Sequence, residues 1–322
     1  MSRMIFASMM AAVSLLCGVP ELLAQKYPDR PITLVLPMAP GDALDLTGRS
    51  MGEELSKLLK VPVTPLNKPG ATATLGTDMV AKAKKDGYTL LLTNSASLVN
   101  AKILQPEIVP YDALKDLAPL GMAIVVPLVI VARKDVPFKN AKELVDYAKK
   151  NPGIVRCGTM GANSTGDLNV WLFQMVTGIE MNMVPFKGAS PAVTALLGGH
   201  VDVVSVAITP MLSHLRSGAL RGMVTSKSLS EFPDVPTIDQ LGYGKNLLHS
   251  WSAFFAPAGV PAEVTETLVP ALEKVIRNPA ISSRLTPLGI QPDYEPPDKV
   301  LIRMSEEYKM VEEIAKKYKM VK

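Results

Sequence analysis

A two-lobed α/β protein is the fold the sequence predicts, on three observations. Short apolar runs alternate with segments of helical period, the pattern of strands followed by covering helices. At 322 residues the chain is longer than one core usually serves, so it is expected to divide into two lobes. Two runs stand out by their length, residues 124–132 (IVVPLVIVA) and 247–256 (LLHSWSAFFA), and these are placed as crossings between the lobes. A content of 48% hydrophobic and 20% charged residues describes a folded chain with too little charge for disorder. The 27 prolines and 22 glycines are spread rather than clustered, which indicates many short connections and no flexible linker. The formal net charge of +4 comes from Lys and Arg scattered among Asp and Glu, so no basic stripe points to nucleic acid or a membrane surface.

The elements follow in order. Arg3 precedes an apolar run from Met4 to Val19, then Leu22-Leu23-Ala24, the layout of a secretory signal peptide over residues 1–25 cut after Ala24 or Gln25. The run is shorter than the roughly 20 residues of a bilayer span. Leu16 before Cys17 is too bulky for a lipoprotein site. Removal of the signal leaves Cys157 alone, so no internal disulfide is expected and stability rests on the core. Ile32 to Pro37 (ITLVLP) reads as a buried strand, followed by a Gly/Asp loop and a helix with Met51, Leu55, Leu58 and Leu59 on one face. Val63 to Leu66 and Tyr88 to Thr93 are further strands. Asn140 to Lys150 is a helix and Ile154 to Cys157 a strand. The next helix carries Leu168, Trp171, Leu172, Met175 and Val176 at helical spacing, opens on the capping pair Ser164/Asp167 and stops at Gly178. Met181 to Pro185, Val201 to Val206 and Leu220 to Thr225 are strands, with helices expected to begin at Ser190-Pro191 and Thr209-Pro210. Pro257 and Pro261 introduce helices that dominate the C-terminus.

In an open parallel sheet, the loops leaving the carboxyl ends of the strands converge on one crevice. Four loops here share a character, being small, rich in Gly, Ser, Thr or Asn, and followed by a helix: Met38 to Asp45, Thr93 to Ser97, Gly158 to Ser164 and Phe186 to Ser190. Unpaired N–H groups at a helix start, with the aligned peptide dipoles, favour an anion. Each loop alone is a turn and a cap; together they indicate a ligand cleft. Enzyme motifs are missing from the sequence: no G-x-S-x-G elbow, no P-loop and no dinucleotide fingerprint. His200, His214 and His249 lie far apart without a second ligand nearby, so no metal is expected, and the 17 methionines show no tight clustering. Cys157 reads as a small buried hydrophobe, and a hydrolase using Cys157 or Ser164 is the rival of a different class.

A family resemblance runs through nearly all of the chain after the signal. It is carried by Tyr27-Pro28-Asp29-Arg30-Pro31-Ile32, the Pro-x-Ala-x-Gly-x-x-x-Asp loop at Pro37 to Asp45 with Arg49, Asn67-Lys68-Pro69-Gly70-Ala71 with Gly76, and Asp86-Gly87-Tyr88-Thr89-Leu90. Gly158 to Ser164, Val184-Pro185-Phe186-Lys187-Gly188, Ser217-Gly218-Ala219-Leu220-Arg221, Pro233-Asp234-Val235-Pro236-Thr237 with Gly242, and Ala256-Pro257-Ala258-Gly259-Val260-Pro261 continue it. In these blocks the chain resembles the substrate-binding receptors of tripartite tricarboxylate transporters, the Bordetella uptake gene family. The resemblance implies a type II periplasmic binding protein fold, with residues 26–126 plus 249–322 as one lobe and 127–248 as the other. It implies two crossings between the lobes, no cofactor and no catalysis.

Carried over residue by residue, the resemblance implies that a carboxylate is held by backbone amides and hydroxyls. On one lobe these come from the loop Met38 to Asp45, with Pro40, Gly41, Asp42 and Asp45, and from Asn94 and Ser95, while Thr72 and Thr74 replace what is commonly a small Ala/Gly stretch and so alter the pocket there. On the other they are Thr159, Gly161, Asn163 and Ser164, with Lys187 and Ala207 nearby. One departure matters: the family usually has a second glycine where this chain has Asp42. Either Asp42 turns outward, or it caps the helix, or the ligand carries a cationic or donor group. Asp45 is expected as a helix cap or a ligand partner. The expected protein is an exported, periplasmic monomer that captures a small carboxylate-bearing molecule (organic, aromatic, amino or amide acid) and delivers it to integral membrane transporter subunits. A sensor presenting the closed form to a membrane signalling protein is the alternative.

Overall fold

The computed structural model describes residues 27–245 and 247–320, so the expected signal peptide lies outside the described residues. Two sheets organise the chain. The larger has six strands in the order β11-β4-β10-β3-β1-β2, made of β1 (Ile32–Leu36), β2 (Val63–Asn67), β3 (Thr89–Asn94), β4 (Leu117–Val126), β10 (Ser250–Pro257) and β11 (Gln291–Pro292). The smaller has five in the order β7-β6-β8-β5-β9: β5 (Leu128–Arg133), β6 (Arg156–Thr159), β7 (Asn182–Pro185), β8 (Val203–Ala207) and β9 (Leu220–Thr225). β1 runs parallel to β2 and β3, and β6 runs parallel to β7 and β8, while β10 and β5 are antiparallel to their neighbours.

The pleat explains the layering of the larger sheet. Ile32, Leu34 and Leu36 point to one face, where they meet Met51 and Leu55 of the helix Ala43–Leu59 and Leu268 and Leu272 of the helix Ala262–Ile276. Val35 points to the other face and joins Val80 and Leu91. Leu58, expected on the buried side of its helix, is 36% exposed; Leu59, at i+4 from the buried Leu55, packs against the core in its place. The C-terminal helix Pro297–Lys317 buries Val300, Met304, Glu307, Val311 and Ile314. Its far end reaches the helix Thr165–Thr177 under the smaller sheet, where Trp171 and Tyr318 lie with ring centroids 4.3 Å apart.

The apolar run 124–132 is two strands of different sheets, β4 and β5, separated by Pro127 alone. Proline has no N–H to give to a ladder, so the first sheet ends there and the second begins. The chain returns to the larger sheet between Thr225 and Ser250, where both backbone groups of Leu248 bond the side chain of Asn169 at 2.7 Å each. Some elements differ from expectation. β6 starts two residues later than expected, because Ile154 sits in the turn after the left-handed Gly153 and is 60% exposed. The helix expected from Ser190 begins at Ala189 behind Gly188, without a side-chain cap.

Candidate functional site

Loops from both sheets meet at a cleft of about 430 Å³. β1 delivers Met38, Asp42 and Ala43, β2 delivers Thr72, and β3 delivers Asn94, Ala96 and Asn100. Val126 and Leu128 flank Pro127 at its base, and Ser250 comes from the start of β10. From the smaller sheet, β6 delivers the turn Met160 to Thr165 and β8 delivers Ala207. Apart from the crossing strands, these are carboxyl ends of parallel strands, where a doubly wound sheet places its ligand.

The β1 loop is held from behind. Asp45 is 2% exposed, and its carboxylate accepts from the Gly41 amide (2.8 Å), Arg49 Nε (2.9 Å) and Asn67 Nδ2 (2.8 Å). Burial opposes its charge, but the bonds from Arg49, Gly41 and Asn67 outweigh it and hold the carboxyl below the usual range. Asp45 therefore clamps the loop and faces away from the cleft. Asp42 is the N-cap of the helix Ala43–Leu59, its Oδ1 accepting from the Leu44 amide at 2.9 Å, and it also lines the cleft. One of the alternatives in the sequence is thus met, since Asp42 caps the helix, and its place in the cleft lining speaks against an outward turn. Asp45→Ala should cost about 2 kcal/mol, since it frees a buried amide and two side-chain donors together. Urea denaturation checks this, and a loss under half a kcal/mol would mean that the loop holds itself.

Thr72 enters through an unusual backbone. Ala71, Thr72 and Ala73 all have positive φ, at 47°, 54° and 69°, a left-handed turn that non-glycine residues rarely take. It is pinned by Thr77, whose hydroxyl donates to Ala73 O at 2.9 Å and lies 3.3 Å from Thr93 Oγ1. Thr93 Oγ1 in turn is 2.7 Å from Ser97 Oγ. The β2 and β3 loops are thereby tied to each other beneath the cleft.

On the opposite wall, Ser164 caps the helix Thr165–Thr177 by accepting from the Asp167 amide at 3.1 Å. The buried Asp167 carboxylate turns back to the Asn163 amide (3.0 Å) and Thr159 Oγ1 (3.1 Å), and burial raises its pKa. Gly161 (φ 134°) and Asn163 (φ 64°) give the turn its shape. The amides of Thr165 and Gly166 precede the first backbone bond of this helix, from Leu168 N to Ser164 O, and among the described residues they meet no acceptor.

Of the expected site residues, Asp42, Thr72, Asn94, Gly161, Asn163, Ser164 and Ala207 meet in the cleft. Pro40, Gly41, Asp45, Ser95, Thr159 and Lys187 do not line it. Thr159 and Ser95 are fully buried behind it, and Pro40, Gly41 and Lys187 are exposed outside it. Asn100, Thr165 and Ser250 line the cleft and were not among the expected residues. Thr165 and Ser250 each adjoin a residue that sequence did single out, whereas Asn100 sits in a π-helical turn, Ala96–Asn100, that no periodicity announces. Cys157 is fully buried, which raises its thiol pKa far above the usual range and disarms it as a nucleophile.

Residues 47–320 match the tripartite tricarboxylate transporter family receptor, and BugT of Bordetella pertussis is 36% identical over 278 residues, 85% of either chain. The chain belongs to the tripartite tricarboxylate transporter receptor family. Solved structures resemble this receptor over nearly its whole length. MatC from Rhodopseudomonas palustris, with bound malate, is 28% identical and superposes with a TM-score of 0.71, covering 89% of this chain and 99% of its own. An R. palustris protein with adipate is 25% identical with a TM-score of 0.75, over 90% and 97% of the two chains. The fold of the receptor is the two-lobed fold of periplasmic substrate-binding proteins. Among the described residues no helix is long and apolar enough to cross a membrane, and no cluster of His, Cys, Asp and Glu could hold a metal ion.

Proposed function

We propose that this receptor captures a small carboxylate-bearing molecule in the cleft between its lobes. It then delivers the molecule, in the periplasm, to the membrane subunits of a tripartite transporter. The observation that carries this reading is the turn Asn163 to Thr165, which brings the hydroxyls of Ser164 and Thr165 and the helix-start amide of Thr165 to a cleft of about 430 Å³. The relatives solved with malate and with adipate support the ligand class. The path of the chain, which changes sheet at Pro127 and again before Ser250, supports lobes of residues 26–126 plus 249–322 and 127–248. Residues 1–25 would direct export, and the chain would act as a monomer.

The two lobes touch across the cleft through Asn100 Nδ2 and Thr165 Oγ1 at 3.4 Å, and beside it through Lys227 Nζ and Asp293 Oδ2 at 2.5 Å. A ligand that bonds both walls favours the closed arrangement by its added contacts. Binding to the native state alone contributes RT ln(1 + [L]/Kd), about 1.4 kcal/mol at ten times Kd. Thermal melts against a panel including malate and adipate should therefore rise by a few degrees for the right compounds. A broad panel of small carboxylates with no shift at millimolar concentration would overturn the reading.

A further inference from the structure

Resting on that reading, we infer that the cleft selects a carboxylate that also carries an N–H donor, an amino or amide acid, with Asp42 taking the donor and the Asn163–Thr165 turn taking the carboxylate. The two walls differ in sign. Among the described residues Asp42 is the one charged side chain of the lining, with no Lys, Arg or His there to balance it. Its Oδ1 is engaged by the Leu44 amide, so the positive end of the helix Ala43–Leu59 is already met by an anion. Its Oδ2 takes no hydrogen bond among the described residues. A ligand carboxylate on this wall would lie beside a fixed like charge in a partly desolvated cleft, which disfavours it.

Asn100 adds a second acceptor on the same wall. It is 2% exposed and lines the cleft; its Nδ2 points to Thr165 Oγ1, and its buried Oδ1 has no partner among the described residues. A buried acceptor without a partner is costly, and a ligand N–H would satisfy it. Asn94 uses its Oδ1 on the Ser97 amide and keeps its own N–H groups for a second ligand oxygen.

The opposite wall has the reverse character. The helix Thr165–Thr177 is capped by the neutral Ser164, whose hydroxyl accepts from the Asp167 amide and so keeps its proton to donate. The nearest carboxylate, Asp167, is spent on Thr159 and Asn163. The acceptors Asp42 and Asn100 on one side and the donors of the Asn163–Thr165 turn on the other match a molecule with its N–H group and its carboxyl at opposite ends, and Asn94 can donate to a further oxygen.

Calorimetry of matched pairs tests the inference: succinate with aspartate, glutarate with glutamate, adipate with 2-aminoadipate, and succinate with succinamate. The N–H-bearing member of at least one pair should bind the native receptor tenfold or more tightly than its plain partner. Asp42→Asn keeps an N-cap of equal rank but removes the charge, and should weaken ammonium-bearing ligands roughly ten- to a hundredfold while improving the plain acids. Asp42→Ser, also a good cap, serves as the second variant, with melting midpoints to show that both are folded. Plain acids binding as tightly as their partners, or equal losses for both classes in the two variants, would overturn the selection by Asp42 while leaving a carboxylate receptor. Binding by neither class would overturn the carboxylate reading itself.

Discussion

Glu307→Gln is expected to stabilise the protein by about 3 kcal/mol at pH 8 and to leave it unchanged at pH 4.5. Glu307 sits fully buried on the apolar face of the helix Pro297–Lys317. Its Oε2 accepts from Trp251 Nε1 at 2.5 Å, while its Oε1 and the Ser95 hydroxyl beside it are buried without a partner among the described residues. Burial pushes its pKa up to about 7, against the pull of Trp251 and Arg303. The folded chain therefore holds a proton on Glu307 between pH 4.5 and 7 that the unfolded chain has released. Stability from this group falls as pH rises through that window, and the loss is complete above it. Glutamine keeps an acceptor for Trp251 and supplies an N–H for Ser95, with no charge to bury.

His249 titrates in the opposite sense. It is buried against Arg303, with Nη1 2.9 Å from its Nε2, and burial followed by the charge of Arg303 lowers its pKa to about 4. Its contribution is lost as pH falls from 6.5 towards 4, because only the unfolded chain then takes up the proton. In the parent protein the two slopes partly cancel between pH 4.5 and 6.5. The glutamine variant should expose the histidine slope as a steeper decline in acid. Urea denaturation at pH 4.5, 6 and 8 reads both effects; a difference between parent and variant that does not change with pH would show that Glu307 stays ionised throughout.

Much of this was legible in the sequence because it rests on local signals. The ITLVLP run and the helical spacing from Leu168 to Val176 placed β1 and the helix Thr165–Thr177, and Ser164 with Asp167 marked that helix's start to the residue. Asp42 stood out as an anion in an anion-binding loop. Which of the expected residues line the cleft was decided by contacts that the sequence does not display. Asp45, Ser95 and Thr159 occupy loops of the right character, but Asp45 accepts from Gly41, Thr159 donates to Asp167, and Ser95 is buried beside Glu307. The left-handed turn at Ala71–Ala73 is held by the nearby hydroxyl of Thr77, which is itself backed by Thr93 on the next strand. Glu307 could have been found: Val300, Met304, Val311 and Ile314 repeat at helical spacing, and the glutamate falls on their face.

Gly166→Ala should be the most damaging small substitution near the cleft, and its sign is what makes it informative. Alanine for glycine within a helix ordinarily stabilises by up to about 1 kcal/mol. At Gly166 a methyl group would lie 2.4 Å from the backbone oxygen of Ser205. That carbonyl belongs to β8, which is laddered between β5 and β6 through Ile130 and Thr159, so it cannot yield as a flexible side chain would. The start of the helix must move instead, carrying Asn163, Ser164 and Thr165 away from the cleft and parting Thr165 from Asn100. The expected cost is about 3 kcal/mol in stability, and displaced donors should weaken a ligand carboxylate at least tenfold. Gly178→Ala, at the other end of the same helix, is the control: φ is 70° there and nothing lies within 4 Å of the added methyl. It should cost about 1 kcal/mol through backbone strain alone and leave affinity intact. Denaturation with calorimetry on both variants separates the effects. A Gly166→Ala protein that binds carboxylates like its parent would mean that the helix start does not hold the ligand.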